Sequence, residues 1–349
     1  MHLIVHGGPP KTGTTALQLA LFHNPQALAA AGIRLFVGKM PDEWALAVPY
    51  VERIQKGELP RILKKDFASV GEALVWGEQN WADLERIVRS EKPQTLVISS
   101  EHFSNLAQPE AFIERLRGLS ERITFVAYAR DPVALYVSEL DEMIRGGSGL
   151  DQLLLPQRFG YYAMRNLQRI EKILGADNLV IRNFDRASLV GGDIGRDFFA
   201  LLERLTGRPC RGEVFPAEVN SSICGAGTAW LLTLNEALPI EGGGVAQFRV
   251  LFERRHALIQ AIRQDETLSR LPRLTLNDPE LVQLVRQSAQ PVVDWINGHY
   301  MEGQVPLRSM AEPIEVEENG RIRTLMRDWI LSYLETDTLQ ALGRVVVKA

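Results

Sequence analysis

Cysteine is nearly absent from this chain. Its 349 residues include two, Cys210 and Cys224. Two thiols without CxxC spacing supply neither a disulfide framework nor a zinc site; both read as small apolar residues. Long apolar runs are missing as well. No stretch of about 18 apolar residues occurs, so no membrane span is expected. The first residues reach Gly7 and Gly8 without the apolar segment of a secretory leader, and a cytoplasmic location is the expectation. A basic surplus is also lacking. Lys and Arg number 39 against 43 Asp and Glu, for a net charge of −4. Overall charge therefore points neither to nucleic acid nor to an anionic membrane, and any anion site must be built locally. No internal repeat and no low-complexity segment is found.

What remains is an ordinary globular composition, 46% hydrophobic and 23% charged. The length suits one large or two modest domains. Leu3-Ile4-Val5, stopped by glycines, reads as a buried parallel strand. Further strands are expected at 33–37, 95–99, 123–128 and 179–181. Helices are expected at 14–22, 25–31, 109–119, 132–145 and 161–174, with weakly bounded helices between 41 and 92. Pro132 suits the first turn of its helix. This alternation predicts an α/β fold: a parallel β-sheet flanked by helices. Ligands of such sheets sit beyond the C-terminal strand ends. The loops there carry Lys11, Glu101 and Arg130. Past residue 210 the pattern turns helical, with helices at 245–264, 279–299 and 322–342 and a glycine linker at 242–244. Two parts follow: 1–210 as the α/β core and 211–349 as a mainly helical C-terminal extension.

The segment from His6 to Leu21, HGGPPKTGTTALQLAL, has the layout of a phosphate-binding loop: strand, glycines, helix. The usual loop is GxxxxGK[ST]. Gly8 and Gly13 keep that glycine spacing, but Thr14 stands where the lysine belongs. The lysine is Lys11, moved back into the loop. Backbone N–H groups around Gly13 and the helix dipole can still cradle an anion, and Thr14 and Thr15 add hydroxyls. The plain alternative is a tight Gly-Pro-Pro turn with a solvated lysine. Nucleotide kinases place a metal-binding aspartate at a neighbouring strand end; here those ends read Ser-Ser-Glu-His and Arg130-Asp131. Neither is a convincing metal ligand, and none is expected.

Arg130 ends its strand, and Ser138 follows about two helical turns later. A guanidinium fork and a hydroxyl suit a second phosphate; the alternative is an Arg130 paired with Asp131 or Glu142.

Two motifs carry a resemblance. Pro10-Lys11-Thr12-Gly13-Thr14-Thr15 resembles the 5′-phosphosulfate loop of the sulfotransferases. Arg130-Asp131-Pro132 with Ser138 resembles their 3′-phosphate motif, R-x-P-x5-S. Val180 to Arg186, with Gly191-Gly-Asp-Ile and Asp197-Phe, is similar to a stretch of bacterial members, and the resemblance covers about residues 1–220. It implies a P-loop-like sulfotransferase fold of the bacterial or carbohydrate-type branch. It also implies 3′-phosphoadenosine 5′-phosphosulfate (PAPS) as donor, adenosine 3′,5′-bisphosphate (PAP) as product, and no metal. Lys11 would then meet the bridging oxygen of the phosphosulfate. The donor-holding C-terminal loop of the phenol and steroid enzymes, resembling RKGxxGDWK, is not present.

The acceptor needs a base. Glu101 ends its strand and is the first choice; carbohydrate-type members use a glutamate. His102 is the alternative, since phenol and steroid enzymes use histidine. Neighbouring residues are expected to point apart, so that only one reaches the substrate. His6 is expected to pack at the strand end, and Tyr161 and Tyr162 either line the acceptor cleft or pack in the core. Asn220-Ser221-Ser222 resembles a short bacterial motif without an assigned role. The acceptor is expected to be a small molecule, carbohydrate or lipid. The C-terminal helices, with Arg254-Arg255, serve either the acceptor site or a homo-oligomer contact. Two other functions compete: an ATP- or GTP-dependent P-loop phosphotransferase, and a non-catalytic nucleotide-binding module.

Overall fold

Five short strands pair edge to edge: β1 (His2–His6), β2 (Ile33–Leu35), β3 (Thr95–Ser99), β4 (Arg122–Ala129) and β5 (Leu179–Asn183). Their order is β2-β3-β1-β4-β5, and every pairing is parallel. The molecule is known from a computed structural model that describes all residues except 38–43, 61–62, 213–221, 240–244, 311, 316–317 and 349. The 242–244 linker and residues 220–221 of the Asn220-Ser221-Ser222 motif lie outside the described residues.

The strands form where apolar runs can be covered from both sides. All five residues of β1, and all five of β3, are buried, as a parallel sheet between helices requires. His6 lies level with Ser99 on one side and Val126 on the other. The chain leaves β1 toward β2, and later crosses from β3 to β4 on the opposite side of β1. Such a reversal opens a crevice at the strand ends, and the loops after β1, β3 and β4 end there.

Helices in chain order are α1 (Thr14–Phe22), α2 (Pro25–Ala30), α3 (Trp44–Ala47), α4 (Glu52–Gln55), α5 (Val70–Glu91), α6 (Pro109–Arg117), α7 (Pro132–Arg145), α8 (Tyr162–Leu174), α9 (Ile194–Thr206), α10 (Gly225–Ala237), α11 (Val245–Gln264), α12 (Pro279–Tyr300), α13 (Asn319–Leu331) and α14 (Thr336–Lys348). The single helix expected over 322–342 is therefore two helices. The first ends at Leu331; two residues on, the Tyr333 hydroxyl donates to Thr275 O at 3.1 Å, and its ring meets Gly225 so closely that a Cβ there would lie 2.2 Å from it.

The contacts divide the chain into two units. The first comprises Met1–Asp131, Tyr161–Val219 and Val292–Leu307; the second comprises Pro132–Gly160, Asn220–Pro291 and Arg308–Ala349. The sequence boundary expected at 210 was drawn on contiguous segments, whereas these units interleave along the chain.

In the first unit, α1 and α9 cover one face of the sheet. Ile4, Val97, Val126 and Tyr128 meet Leu17, Leu21, Phe198 and Leu202 there. In an aromatic cluster, Tyr50, Trp81 and Phe112 pack edge to face, and Phe103 lies tilted against Phe112. β5 is an edge strand, and its outer groups are taken up from far along the chain. Asn183 N donates to Gln304 Oε1 at 3.0 Å, and Asn183 Nδ2 to Val305 O at 2.7 Å. Such covering keeps an edge from pairing with another chain.

The second unit is helical and tied by buried polar groups. Asp141 on α7 accepts from Thr228 at 2.7 Å and from Arg145 at 2.9 Å. Asn235 on α10 donates to Ile144 O and Ser148 O, tying α10 to the end of α7 and the turn after it. Arg255 donates in turn to Asn235.

Candidate functional site

The loop between β1 and α1 is held in a shape few sequences allow. A Cβ on Gly7 would lie 2.2 Å from Phe125, so only glycine fits. Lys11 has φ 65° and Gly13 φ 82°. Left-handed residues in a loop are the usual means of turning N–H groups toward one anion. Gly13 is the N-cap of α1 and brings no side chain to cap it, so the first-turn N–H groups remain available to a ligand. Thr12 donates to Pro9 O at 2.7 Å and braces the turn. Pro10 and Lys11 are half-buried and Thr15 is exposed. Thr14 is buried, and its hydroxyl has no hydrogen-bond partner.

His6 stands behind this loop. It is fully buried, edge-on to Tyr128 and Phe198, with Nδ1 2.8 Å from Ser99 Oγ. Burial pushes its pKa down to about 3, so the imidazole is neutral. Its Nε2 also has no hydrogen-bond partner. The face of Gly8 gathers three polar atoms: a Cβ placed there would lie 2.8 Å from Thr14 Oγ1, 3.0 Å from Thr12 Oγ1 and 3.2 Å from His6 Nε2. Two buried polar atoms without partners thus face one loop, where a water or a ligand atom would satisfy them.

Arg130 joins the loop from the end of β4. Its Nη1 donates to Lys11 O at 3.0 Å. Burial lowers its pKa, while Asp131 and Tyr161 act in the opposite sense; guanidinium remains charged at neutral pH. Tyr161 is fully buried and donates its hydroxyl to Arg130 O at 2.5 Å. Tyr162 is 55% exposed, so the adjacent tyrosines part, one to the core and one to solvent. Ser138 is carried by α7 in the second unit, where it is half-buried. The geometry of the first unit does not include it.

Glu101 and His102 open a short 3-10 turn, Glu101–Ser104, after β3. Ser104 Oγ lies 3.1 Å from Gly8 O and 2.9 Å from Glu101 O, tying that turn to the loop. The two candidate bases do not point apart. His102 Nε2 is 3.8 Å from Glu101 Oε1. Neighbouring residues were expected to point apart, but both lie in a 3-10 turn, which sets successive side chains about 120° apart. His102 also stacks on Trp44, with ring centroids 3.7 Å apart. Both candidates are half-buried.

Sequence reasoning missed Ser104, Trp44 and the contact of Tyr161 with Arg130. Only Tyr161 carried a signal, as an aromatic at a helix start. The 180–197 stretch forms a buried network: Asp197 accepts from Tyr128 at 2.8 Å, from Arg182 at 2.5 and 2.6 Å, and from Val190 N at 3.1 Å. Burial and Asp197 push the Tyr128 hydroxyl pKa well up, so this network keeps its protons at neutral pH. Among the described residues, no group of three or more His, Cys, Asp or Glu is arranged to hold a metal ion, and no helix is long and apolar enough to cross a membrane. The open clefts near Leu59 and Val70, and near Phe67 and Trp76, contain none of the loop residues. Comparison with family models, curated proteins and solved structures returned no match.

Proposed function

We propose that the protein is a sulfotransferase, moving the sulfuryl group of PAPS to a hydroxyl or amine acceptor by in-line displacement. The observation that carries this reading is the hydrogen bond from Arg130 to the Lys11 carbonyl. It brings together two motifs 119 residues apart in sequence, each of which resembles one half of a PAPS site. The residues present suit such a donor. Loop N–H groups, Thr14 and Lys11 offer donors for the 5′-phosphosulfate. Arg130 retains four further N–H groups for a 3′-phosphate. His6 is neutral and adds no charge that would alter this balance.

The donor supplies an activated sulfuryl group. Transfer breaks the bond from sulfur to the bridging phosphate oxygen and forms one from sulfur to the acceptor oxygen or nitrogen. The acceptor proton passes to Glu101, or to His102 beside it. The negative charge left on the phosphate falls to Lys11 and the loop N–H groups, the kind of preorganised stabilisation that accounts for most catalysis of this type. Acceptor class (small molecule, carbohydrate or lipid) and cytoplasmic location remain part of the proposal.

Calorimetric titration with adenosine 3′,5′-bisphosphate in the absence of magnesium, beside AMP and ATP, tests the reading. The bisphosphate is expected to bind at least tenfold tighter than AMP. Arg130→Ala is expected to erase that preference, and Lys11→Ala to weaken both ligands. Equal binding of AMP and bisphosphate, or a magnesium-dependent preference for ATP, refutes it in favour of a phosphotransferase. With a turned-over acceptor in hand, Glu101→Gln lowers kcat and leaves bisphosphate affinity unchanged; donor binding without turnover of any acceptor leaves only the non-catalytic module.

A further inference from the structure

Among the described residues, three that are not glycine have positive φ: Lys11, Lys92 and Tyr161. Lys92 closes the end of α5, a common use of that conformation. The other two are ends of one hydrogen-bonded chain. Tyr161 donates its hydroxyl to Arg130 O at 2.5 Å, and Arg130 donates Nη1 to Lys11 O at 3.0 Å. Both ends are thus left-handed, and Arg130 stands between them.

The conformation of Tyr161 is costly for a bulky residue and persists only where its surroundings impose it. It has φ 47° and ψ 46° at the N-cap of α8, where its carbonyl accepts from Met164 N and Arg165 N. A right-handed residue would carry the ring in a different direction. Here the ring is fully buried and its hydroxyl meets the carbonyl of the residue just past β4. Arg130 follows the last residue of that strand, so its backbone is where the sheet's rigidity runs out. A bond on the Arg130 carbonyl fixes the peptide that launches the guanidinium, and the guanidinium fixes the loop peptide that launches the Lys11 side chain.

We infer that Tyr161 is a positioning residue for the anion site. Through its hydroxyl it holds Arg130 in the rotation that lets Nη1 grip the Lys11 carbonyl, and so sets the loop before a ligand arrives. The inference deepens the donor reading, since Arg130 and Lys11 are its two cationic anchors, but the coupling from Tyr161 to the loop stands whatever anion binds there.

Tyr161→Phe keeps the ring and removes the hydroxyl. Hydrogen exchange of the full chain, read on peptides across residues 7–16, is the first measurement. The loop amides are expected to exchange about fivefold faster in the variant, the size of effect one lost hydrogen bond gives, with α8 unchanged. Unchanged loop exchange overturns the inference, as does equal loss of protection in α8 and loop, which would mean that Tyr161 only packs its helix. The second measurement is a double-mutant cycle on adenosine 3′,5′-bisphosphate binding. Tyr161→Phe alone is expected to weaken binding about fivefold, and to have no further effect once Arg130 is alanine. Additive losses overturn the inference, because a residue that acts through Arg130 has nothing left to act on. If wild-type protein does not bind the bisphosphate, the donor reading fails and the exchange measurement alone decides the role of Tyr161. Should Tyr161→Phe not fold, Arg130→Lys tests the same chain from its middle: it keeps the charge, loses the planar fork, and must also speed loop exchange. If it does not, the chain carries no positioning.

Discussion

His6 makes the stability of this protein depend on pH in a way that can be separated from every other group. The imidazole is fully buried, and burial sets its pKa near 3 against 6.5 in the unfolded chain. Between those values the unfolded chain binds a proton and the folded one does not, so stability rises with pH across that window. The contribution is whole above about pH 6.5 and drains away as pH falls toward 3. At 1.4 kcal/mol per unit, acidification from pH 7 to pH 5 removes about 2 kcal/mol through this residue alone. His2, also depressed, to about 4, acts in the same sense, which is why a variant is needed. His6→Gln abolishes the titration and keeps a polar group beside Ser99. Urea unfolding of both proteins at pH 7, 6 and 5, followed by tryptophan fluorescence, gives the measurement. The variant is less stable at pH 7, having lost the ring's contacts with Tyr128 and Phe198, and that deficit should shrink by about 2 kcal/mol at pH 5. A deficit that stays constant refutes the reasoning. It would mean that the imidazole is solvated, or that it stays paired when charged.

Gly13→Ala combines a left-handed φ of 82° with a Cβ 2.7 Å from Phe184 and 2.9 Å from Ile194; thermal melts should show a loss of about 2–4 kcal/mol. Gly57→Ala, at φ 79° with nothing within 4 Å, should lose only about 1 kcal/mol, and equal losses would deny the steric part. Asp197→Ala strands Arg182 and Tyr128 together, and chemical denaturation should show a cost of about 3–5 kcal/mol; a cost below 1 kcal/mol would mean that the network contributes little. Cys210 and Cys224 are buried, and burial raises both thiol pKa values, that of Cys210 to about 11. A disulfide reagent at pH 8 should modify neither in the native protein and both in urea, and rapid native labelling of either would contradict their burial.

The sheet was legible because its strands are apolar runs in a chain with few of them. The 95–99 run and the 123–128 run fall within strands observed at Thr95–Ser99 and Arg122–Ala129. A parallel strand buried on both faces reads as a short, near-continuous apolar run, and flanking glycines and β-branched residues separate it from a buried helix. The loop was legible for a related reason: Gly7 and Gly13 stand where side chains cannot. What escaped was set at long range. Nothing near Ser104 announces that its hydroxyl will reach Gly8, and nothing near Tyr161 announces a left-handed backbone. The break between α13 and α14 has no glycine or proline to mark it; just past Leu331, Tyr333 is held by Thr275 and packs against Gly225. Glu101 and His102 fall in the turn after β3 and lie side by side rather than apart, because a 3-10 turn carries them.

The two residues that cover β5 have a consequence for how the chain is made. Gln304 and Val305 occupy the outer groups of Asn183, yet a ribosome delivers them about 120 residues later. At about 5–20 residues per second, the last strand of the sheet waits on the order of ten seconds with an open edge and no partner in the nascent chain. A premature stop anywhere between residues 184 and 303 would leave all five strands intact and the cover of β5 missing, so such fragments should aggregate more readily than the full chain.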